Sequence, residues 1–240
     1  PPAPRAAEAV EEPLPQPGAG EVRVRVAYTA ISPGSNVHLW RVGSYRSAAF
    51  DGREDLVYMG SGVVETVGAG VTGLAEGDPV VLSTGHRSHV VVPASALHRV
   101  PDGLSLRDAA VSYLPSWSVS VLHLGRYQAG ETVAVVGLGL VGASAALVAE
   151  LNGARVLGLD IDARRRSIAS GLGLGAVADP SDGAAVGAFL GAGGASGADL
   201  VIETTGAWGG LRTAIDLARD FTRIAVMGIY RTTPPPDLAG

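Results

Sequence analysis

Alternating apolar and charged residues mark the first strand of the chain. In Glu21–Val26 every second residue is valine, and the residues between are Glu or Arg. This pattern predicts a strand with one buried and one exposed face. Short apolar runs separated by glycine-bearing turns predict further strands at 62–67, 79–82 and 89–92. Short strands with frequent turns are typical of a small, closed β-domain.

The pattern changes after Ser105. Helices are predicted first, over 106–110 and 117–124, and from Val133 onward apolar strands alternate with helical segments. The predicted strands are 133–136, 155–160, 199–203 and 223–228, and the predicted helices lie near 140–151, 163–170, 184–190 and 208–219. Such alternation predicts right-handed βαβ units around a parallel sheet. We place the domain boundary near Gly125, between domains at 1–125 and 126–240.

A glycine-rich turn follows the first strand of the second half. Residues 137–142 read Gly-Leu-Gly-Leu-Val-Gly. The first glycine permits a tight turn, the second lets the backbone approach a pyrophosphate, and the third lets the next helix pack close to the strand. Asp160 ends the next apolar strand, about 20 residues on, where a carboxylate can accept hydrogen bonds from a ribose. Strand, glycines, helix, strand and acid in this order predict a dinucleotide site.

Composition narrows the classes of function. The chain has 240 residues and a net charge of −5, and its basic run at 164–166 is short, so we expect no nucleic-acid partner. Glycine, proline or charges interrupt the apolar runs, so we expect no membrane span. The chain has no cysteine, which excludes disulfides and cysteine-based zinc sites and fits a cytoplasmic location. His86 and His89 would point to opposite faces of a strand, so we predict no metal site there.

Several segments resemble the medium-chain dehydrogenase/reductase superfamily, in order from about Glu21 to Tyr230. They are Gly62–Gly68, Glu76–Val80, Val90–Ala94, Val100–Ser105, the glycine turn and Asp160. The resemblance implies an α/β protein: a GroES-like β-barrel domain, then a Rossmann domain with a doubly wound parallel sheet, with the active site between them. It also implies NAD(P)-dependent hydride transfer between nicotinamide and a secondary alcohol or ketone, in specialised metabolism. Reduction of a C=C or C=N bond and a non-redox nucleotide-binding role remain alternatives.

Many members of that superfamily hold a catalytic zinc through cysteine, histidine and a second cysteine or acid. Alignment on the resembling segments puts Pro33, Tyr58 and Leu114 at these positions, and the cysteine-rich structural zinc lobe is missing. None of these side chains replaces a thiolate or an imidazole. We therefore expect a zinc-independent enzyme, nearest to the bacteriochlorophyllide dehydrogenase-like branch, in which a tyrosine replaces the zinc histidine.

Three residues are the candidates for catalysis. The resemblance implies that Ser35 and His38 pass a proton from substrate to solvent, and that Tyr58 brings a phenol to the former metal position. Each has a simpler alternative. Ser35 caps a helix that begins near Asn36, His38 is an ordinary surface residue, and Tyr58 only lines the pocket.

The resemblance also implies the cofactor and the partners. We expect NAD(H), because Asp160 repels a 2′-phosphate, with NADP(H) as the alternative because the arginines at 164–166 can accept that phosphate. We expect a small-molecule substrate, and a homodimer if the part that superfamily members usually carry beyond Gly240 is present. The predicted cofactor contacts are Ser118, Gly137, Leu138, Gly139, Leu140, Val141, Gly142, Asp160, Ile161, Arg165, Thr204, Thr205 and Gly228.

Overall fold

The computed structural model describes residues 9–42, 58–192, 197–230, 232, 233 and 235, without the side chains of residues 38, 39, 41 and 42. Contacts divide the chain into two compact units, Pro1–Tyr113 and Leu114–Gly240. This division lies earlier than the predicted boundary near Gly125. The reason is helix packing, because Val121 and Leu122 belong to a buried cluster of the second unit.

The described part of the first unit contains a five-stranded antiparallel sheet, two α-helices and one turn of 3-10 helix at Ala94–Ala96. The strands pair in the order β4-β1-β2-β3-β5. Their bounds are β1 (Glu21–Thr29), β2 (Gly60–Val67), β3 (Pro79–Leu82), β4 (His89–Pro93) and β5 (His98–Arg99), and the helices are α1 (Pro33–Val42) and α2 (Leu106–Ala109).

The core of the first unit follows from the alternation in β1. Val22 and Val24 are fully buried in a cluster with Val64 and other apolar side chains. Arg23 points to the other face, where its Nε donates to Glu65 Oε2 at 2.7 Å. The predicted half-exposed strand is therefore confirmed.

Helix α1 begins three residues before the predicted start near Asn36. Its first residue is Pro33, whose fixed φ suits the first turn of a helix and whose missing N–H is no loss there. The backbone N–H of Ser32 donates to Asn36 Oδ1 at 2.8 Å. Ser35 thus lies inside the first turn, and the interpretation of Ser35 as the cap of a helix beginning near Asn36 is wrong.

The second unit contains a parallel sheet flanked by helices. Its strands pair in the order β10-β9-β6-β7-β8. The strands are β6 (Thr132–Val136), β7 (Arg155–Leu159), β8 (Val177–Ala178), β9 (Ala198–Glu203) and β10 (Ala218–Val226), and the helices are α3 (Tyr113–Leu124), α4 (Leu140–Leu151), α5 (Ala163–Gly171), α6 (Gly183–Gly191) and α7 (Trp208–Asp216). The predicted alternation of strands and helices is confirmed.

Central strand β6 is buried on both faces, since its side chains divide between two apolar clusters. The alanines at 145, 146 and 149 of α4 are fully buried, and such small side chains let the helix lie close to the sheet. In edge strand β10 the register shifts between Ala218 and Arg223. Within this irregularity Phe221 is fully exposed and has a left-handed φ of 67°. Among the described residues, no helix combines the length and apolar character needed to cross a membrane.

Candidate cofactor and substrate site

The three glycines of the turn between β6 and α4 have different surroundings. Gly137 has a left-handed φ of 95°, which favours glycine. A Cβ on Gly142 would lie 1.8 Å from the Gly137 carbonyl oxygen, so only glycine allows this approach of helix and turn. A Cβ on Gly139 would meet no atom within 4 Å, so the backbone there is open to an approaching group.

The N-terminus of α4 adjoins this open position. Gly139 is its N-cap and supplies no side-chain hydrogen bond to the free N–H groups of the first turn. Such a helix end carries partial positive charge and suits a phosphate. Ser118, which is fully buried, donates from Oγ to the Val141 carbonyl at 3.3 Å, so its hydroxyl is engaged with the first turn of α4.

Asp160 connects the end of β7 to the glycine turn. Its side chain is 4% exposed, and the Arg165 guanidinium lies 3.6 Å from Oδ2. The backbone N–H of Leu138 donates to Oδ2 and that of Asp162 donates to Oδ1, both at 2.8 Å. An ionised carboxylate accepts about four hydrogen bonds. The Asp160 carboxylate can therefore accept further hydrogen bonds from ribose hydroxyls in addition to those from the two backbone N–H groups. Ile161 beside it is exposed.

Glu203 ends β9 and is fully buried, and the sequence reasoning did not single it out. Its Oε1 accepts from the backbone N–H of Thr205 at 2.6 Å and from the Thr205 hydroxyl. The signal was present, since Glu203, like Asp160, closes a buried apolar strand at the carboxyl edge of the sheet. A Cβ on Gly228 would lie 2.6 Å from Glu203 Oε2, so this glycine makes room for the carboxylate.

Thr204 ties β9 to the glycine turn. Its backbone N–H donates to the Val136 carbonyl at 2.9 Å, and its hydroxyl donates to the Gly137 carbonyl at 2.9 Å. The structure thus brings the glycine turn, Asp160 and Thr204 together at the carboxyl edge of one sheet, where open α/β sheets bind their ligands.

The predicted catalytic residues lie in the first unit. Ser35 is half-buried in α1, and the Ser32 hydroxyl donates to its Oγ at 3.5 Å. His38 lies three residues further along α1, but its side chain falls outside the described part of the structure. Tyr58 is half-buried just before β2, with its ring edge-on to Tyr113 at 5.4 Å between centroids. No hydrogen bond joins Ser35 to Tyr58 among the described contacts.

His86 and His89 have separate partners. His86 Nδ1 lies 2.5 Å from the Thr29 hydroxyl, and His89 Nε2 lies 3.5 Å from Glu65 Oε1. Within the described ranges, no three His, Asp or Glu side chains cluster so that they could hold a metal ion. The described residues therefore do not fit a zinc site.

Two family models match the chain in succession. Residues 18–102 match the alcohol dehydrogenase GroES-like domain, and residues 141–239 match the family described as zinc-binding dehydrogenase. These matches confirm the predicted fold class, a GroES-like domain followed by a Rossmann-type domain with a parallel sheet.

Several curated relatives are named as dehydrogenases. The chain is 28% identical to a 2-dehydro-3-deoxy-L-galactonate 5-dehydrogenase of Pseudoalteromonas atlantica over 92% of this chain and 73% of that protein. It is also 28% identical to a sorbitol dehydrogenase of Halalkalibacterium halodurans (92% and 72% covered) and to an L-threonine 3-dehydrogenase of Rhizobium etli (90% and 71%).

Solved structures agree in fold. An NAD-dependent alcohol dehydrogenase superposes with a TM-score of 0.76 at 26% identity, covering 95% of this chain and 76% of that one. An oxidoreductase of unknown specificity from Escherichia coli superposes with a TM-score of 0.85 at 20% identity, covering 97% and 76%. At that identity the second likeness concerns the fold alone.

The expectation of an enzyme without zinc is wrong, because the family matched over residues 141–239 is a family of zinc-binding dehydrogenases. Zinc also accepts carboxylate oxygens, and Asp51, Glu54 and Asp55 lie outside the described residues.

The two matched domains cover most of the chain and follow the same order as its two compact units. Relatives along its length are dehydrogenases, and the second unit carries the glycine turn and the acid of a dinucleotide site. The chain belongs to the medium-chain dehydrogenase/reductase superfamily and is an NAD(P)-dependent oxidoreductase.

Proposed function

We propose that this enzyme interconverts a secondary alcohol and the corresponding ketone on a small hydroxylated substrate. Dinucleotide binding is supported by the open backbone at Gly139 and by the buried Asp160, whose carboxylate accepts a hydrogen bond from the glycine turn. The relatives named for sorbitol, threonine and a deoxy-galactonate favour a hydroxylated small molecule as substrate.

The second unit supplies the residues that would hold the cofactor. The open backbone at Gly139 and the free N–H groups of the first turn of α4 suit the pyrophosphate. The Asp160 carboxylate suits the hydroxyls of the adenosine ribose. When bound, the nicotinamide ring exchanges a hydride with the substrate carbon.

Asp160 also favours NADH over NADPH. Its carboxylate is nearly buried and fixed by two backbone donors, so it cannot turn away from an incoming 2′-phosphate. Repulsion between like charges in such a site costs several kcal/mol. Arg165, at 3.6 Å, offsets part of this repulsion, which limits the preference.

The first unit supplies the groups for proton transfer. Ser35 and His38 are three residues apart in α1, so both lie on the same face of the helix. In the proposed oxidation, the substrate hydroxyl gives its proton to the oxygen of Ser35 or Tyr58 while the carbon loses hydride. That side chain releases its own proton in the same step, and His38 passes it to solvent. In the reverse direction, the same groups donate the proton to the carbonyl oxygen.

Two measurements test this function. Titration of the purified protein with NADH, followed by fluorescence, should give saturable binding, and a panel of polyols and hydroxy acids should be oxidised with NAD⁺. Turnover of enones or imines alone would contradict the alcohol assignment. Absence of binding of both NADH and NADPH would contradict the cofactor site.

Substitutions test the catalytic roles. Loss of one positioned donor lowers turnover by about 10²–10³. Ser35→Ala and Tyr58→Phe should therefore lower kcat far more than they weaken NADH binding, and His38→Gln should cost less because water can replace a relay. Wild-type turnover by both Ser35→Ala and Tyr58→Phe would show that these residues only line the pocket.

A further inference from the structure

The loops that follow β9 and β10 meet at Glu203. The backbone N–H groups of Met227 and Gly228 donate to the Glu203 carbonyl at 2.7 and 3.2 Å. The side chain accepts from both the backbone and the hydroxyl of Thr205 in the first loop, and from the Tyr230 hydroxyl, at 2.5 Å, in the second. One carboxylate therefore joins both loops.

The surroundings of this carboxylate are built to hold it. Glu203 is fully buried, and a Cβ on Gly210 or Gly228 would lie 2.9 or 2.6 Å from its oxygens. Within the described ranges, no arginine or lysine forms an ion pair with Glu203. The hydrogen-bond donors stabilise this buried carboxylate, so removal of one donor has a large effect.

Tyr230 is itself fixed in place. Its ring lies 4.3 Å from that of Trp208, the first residue of α7, and Trp208 Nε1 donates to the Thr232 hydroxyl at 3.0 Å. Burial and the neighbouring Glu203 carboxylate raise the pKa of Tyr230, so its hydroxyl stays protonated and donates at neutral pH.

The pair also connects to the glycine turn. Thr204, next to Glu203 in the chain, donates from its hydroxyl to the Gly137 carbonyl. Movement of either loop therefore disturbs the residue that holds the turn. The contacts run without interruption from Tyr230 through Glu203 and Thr204 to Gly137.

We propose that Glu203 and Tyr230 form a positioning pair, which sets cofactor affinity by holding the loops after β9 and β10 against the glycine turn. The inference rests on the proposed function, in which the dinucleotide binds at this edge of the sheet. Neither side chain is assigned a contact with the cofactor or a step in the chemistry.

Tyr230→Phe tests the pair, with Tyr127→Phe as a matched control. The Tyr127 hydroxyl donates to the Asn152 carbonyl at 2.9 Å. Tyr127 precedes β6 and Asn152 precedes β7, so this bond lies at the amino ends of the strands, away from the carboxyl edge where Glu203 lies. Tyr230→Phe should raise the Kd for NADH about tenfold, the effect of losing one hydrogen bond to a charged group, while kcat at saturating cofactor is unchanged. Tyr127→Phe should leave this Kd unchanged.

A double variant tests the same pair independently of the stability of Tyr230→Phe alone. In a Glu203→Gln background, Tyr230→Phe should have a smaller effect on Kd than in the wild type, because the partner charge is gone. Equal Kd values for wild type and Tyr230→Phe, or equal increases in Tyr230→Phe and Tyr127→Phe, would overturn the pair. If the wild type binds no dinucleotide, the proposed function fails instead.

Discussion

Alanine at Gly139 should weaken cofactor binding alone, whereas alanine at Gly142 should impair both folding and binding. The Gly139 position has room for a methyl group, and its φ of −68° suits any residue. Gly139→Ala should therefore change the free energy of unfolding by less than about 1 kcal/mol, since a small gain in chain entropy opposes the loss of glycine at an N-cap.

The same methyl group would occupy the space through which a pyrophosphate approaches the backbone. Overpacking a close contact costs about 1–3 kcal/mol, which corresponds to a rise of about 5- to 150-fold in the Kd for NADH. At Gly142 a Cβ would lie 1.8 Å from the Gly137 carbonyl oxygen and 2.6 Å from Thr204 Oγ1. Gly142→Ala should therefore also destabilise the second unit, because α4 must move away from the turn.

Urea unfolding followed by circular dichroism measures stability, and fluorescence titration with NADH measures binding. Gly139→Ala should unfold at the same urea concentration as the wild type but bind NADH weakly. Gly142→Ala should unfold at a lower urea concentration and also bind NADH weakly. Wild-type affinity in Gly139→Ala would refute the approach of the pyrophosphate at this position. Wild-type stability in Gly142→Ala would refute the close packing.

Further outcomes concern strain, pH and cofactor choice. Phe221→Gly relieves the left-handed φ of a fully exposed side chain, so it should stabilise the protein by about 1 kcal/mol, and unchanged or lower Tm would contradict this. Burial and Glu203 raise the pKa of Tyr230 above the value of about 10 in the unfolded chain, so its stabilising contribution is complete below pH 10 and is lost as pH rises further. Urea unfolding at pH 8–11 should show this loss, and Tyr230→Phe should reduce it. Asp160→Ser should lower the Kd for NADPH relative to the Kd for NADH about tenfold. Asp162→Ser, which keeps a capping residue at the start of α5, should leave this ratio of Kd values unchanged. Equal ratios in the two variants would contradict the role of Asp160.

Most of the second unit could be predicted because its signals are local. A run of apolar residues such as Val133–Val136, followed by glycines at fixed spacing, specifies strand, turn and helix with little help from the rest of the chain. The errors arise where pairing with a strand distant in sequence decides where a helix ends. The predicted helix over 208–219 ends at Asp216, because β10 begins at Ala218 and pairs there with Ala198.

The site was harder to predict because its contacts are distant in sequence. The partner of Glu203 is Tyr230, 27 residues away, and no local pattern joins them. Helix α1 begins earlier than expected because Pro33, which aligns with a zinc-ligand position, is also a favourable first residue of a helix. The expectation of a zinc-independent enzyme rested on single aligned positions, and the family matched over residues 141–239 contradicts it.

The strand order of the second unit determines how long one strand stays unpaired while the chain is being synthesised. Strand β6 lies between β7 and β9, and Thr132 at its start bonds to Asp199, 67 residues later. At translation rates of about 5–20 residues per second, the β9 side of β6 stays unpaired for about 3–13 s. During that time a strand of buried valines offers an open edge to other nascent chains. Codon usage between these two strands is therefore expected to influence how much of the protein is recovered folded from cells.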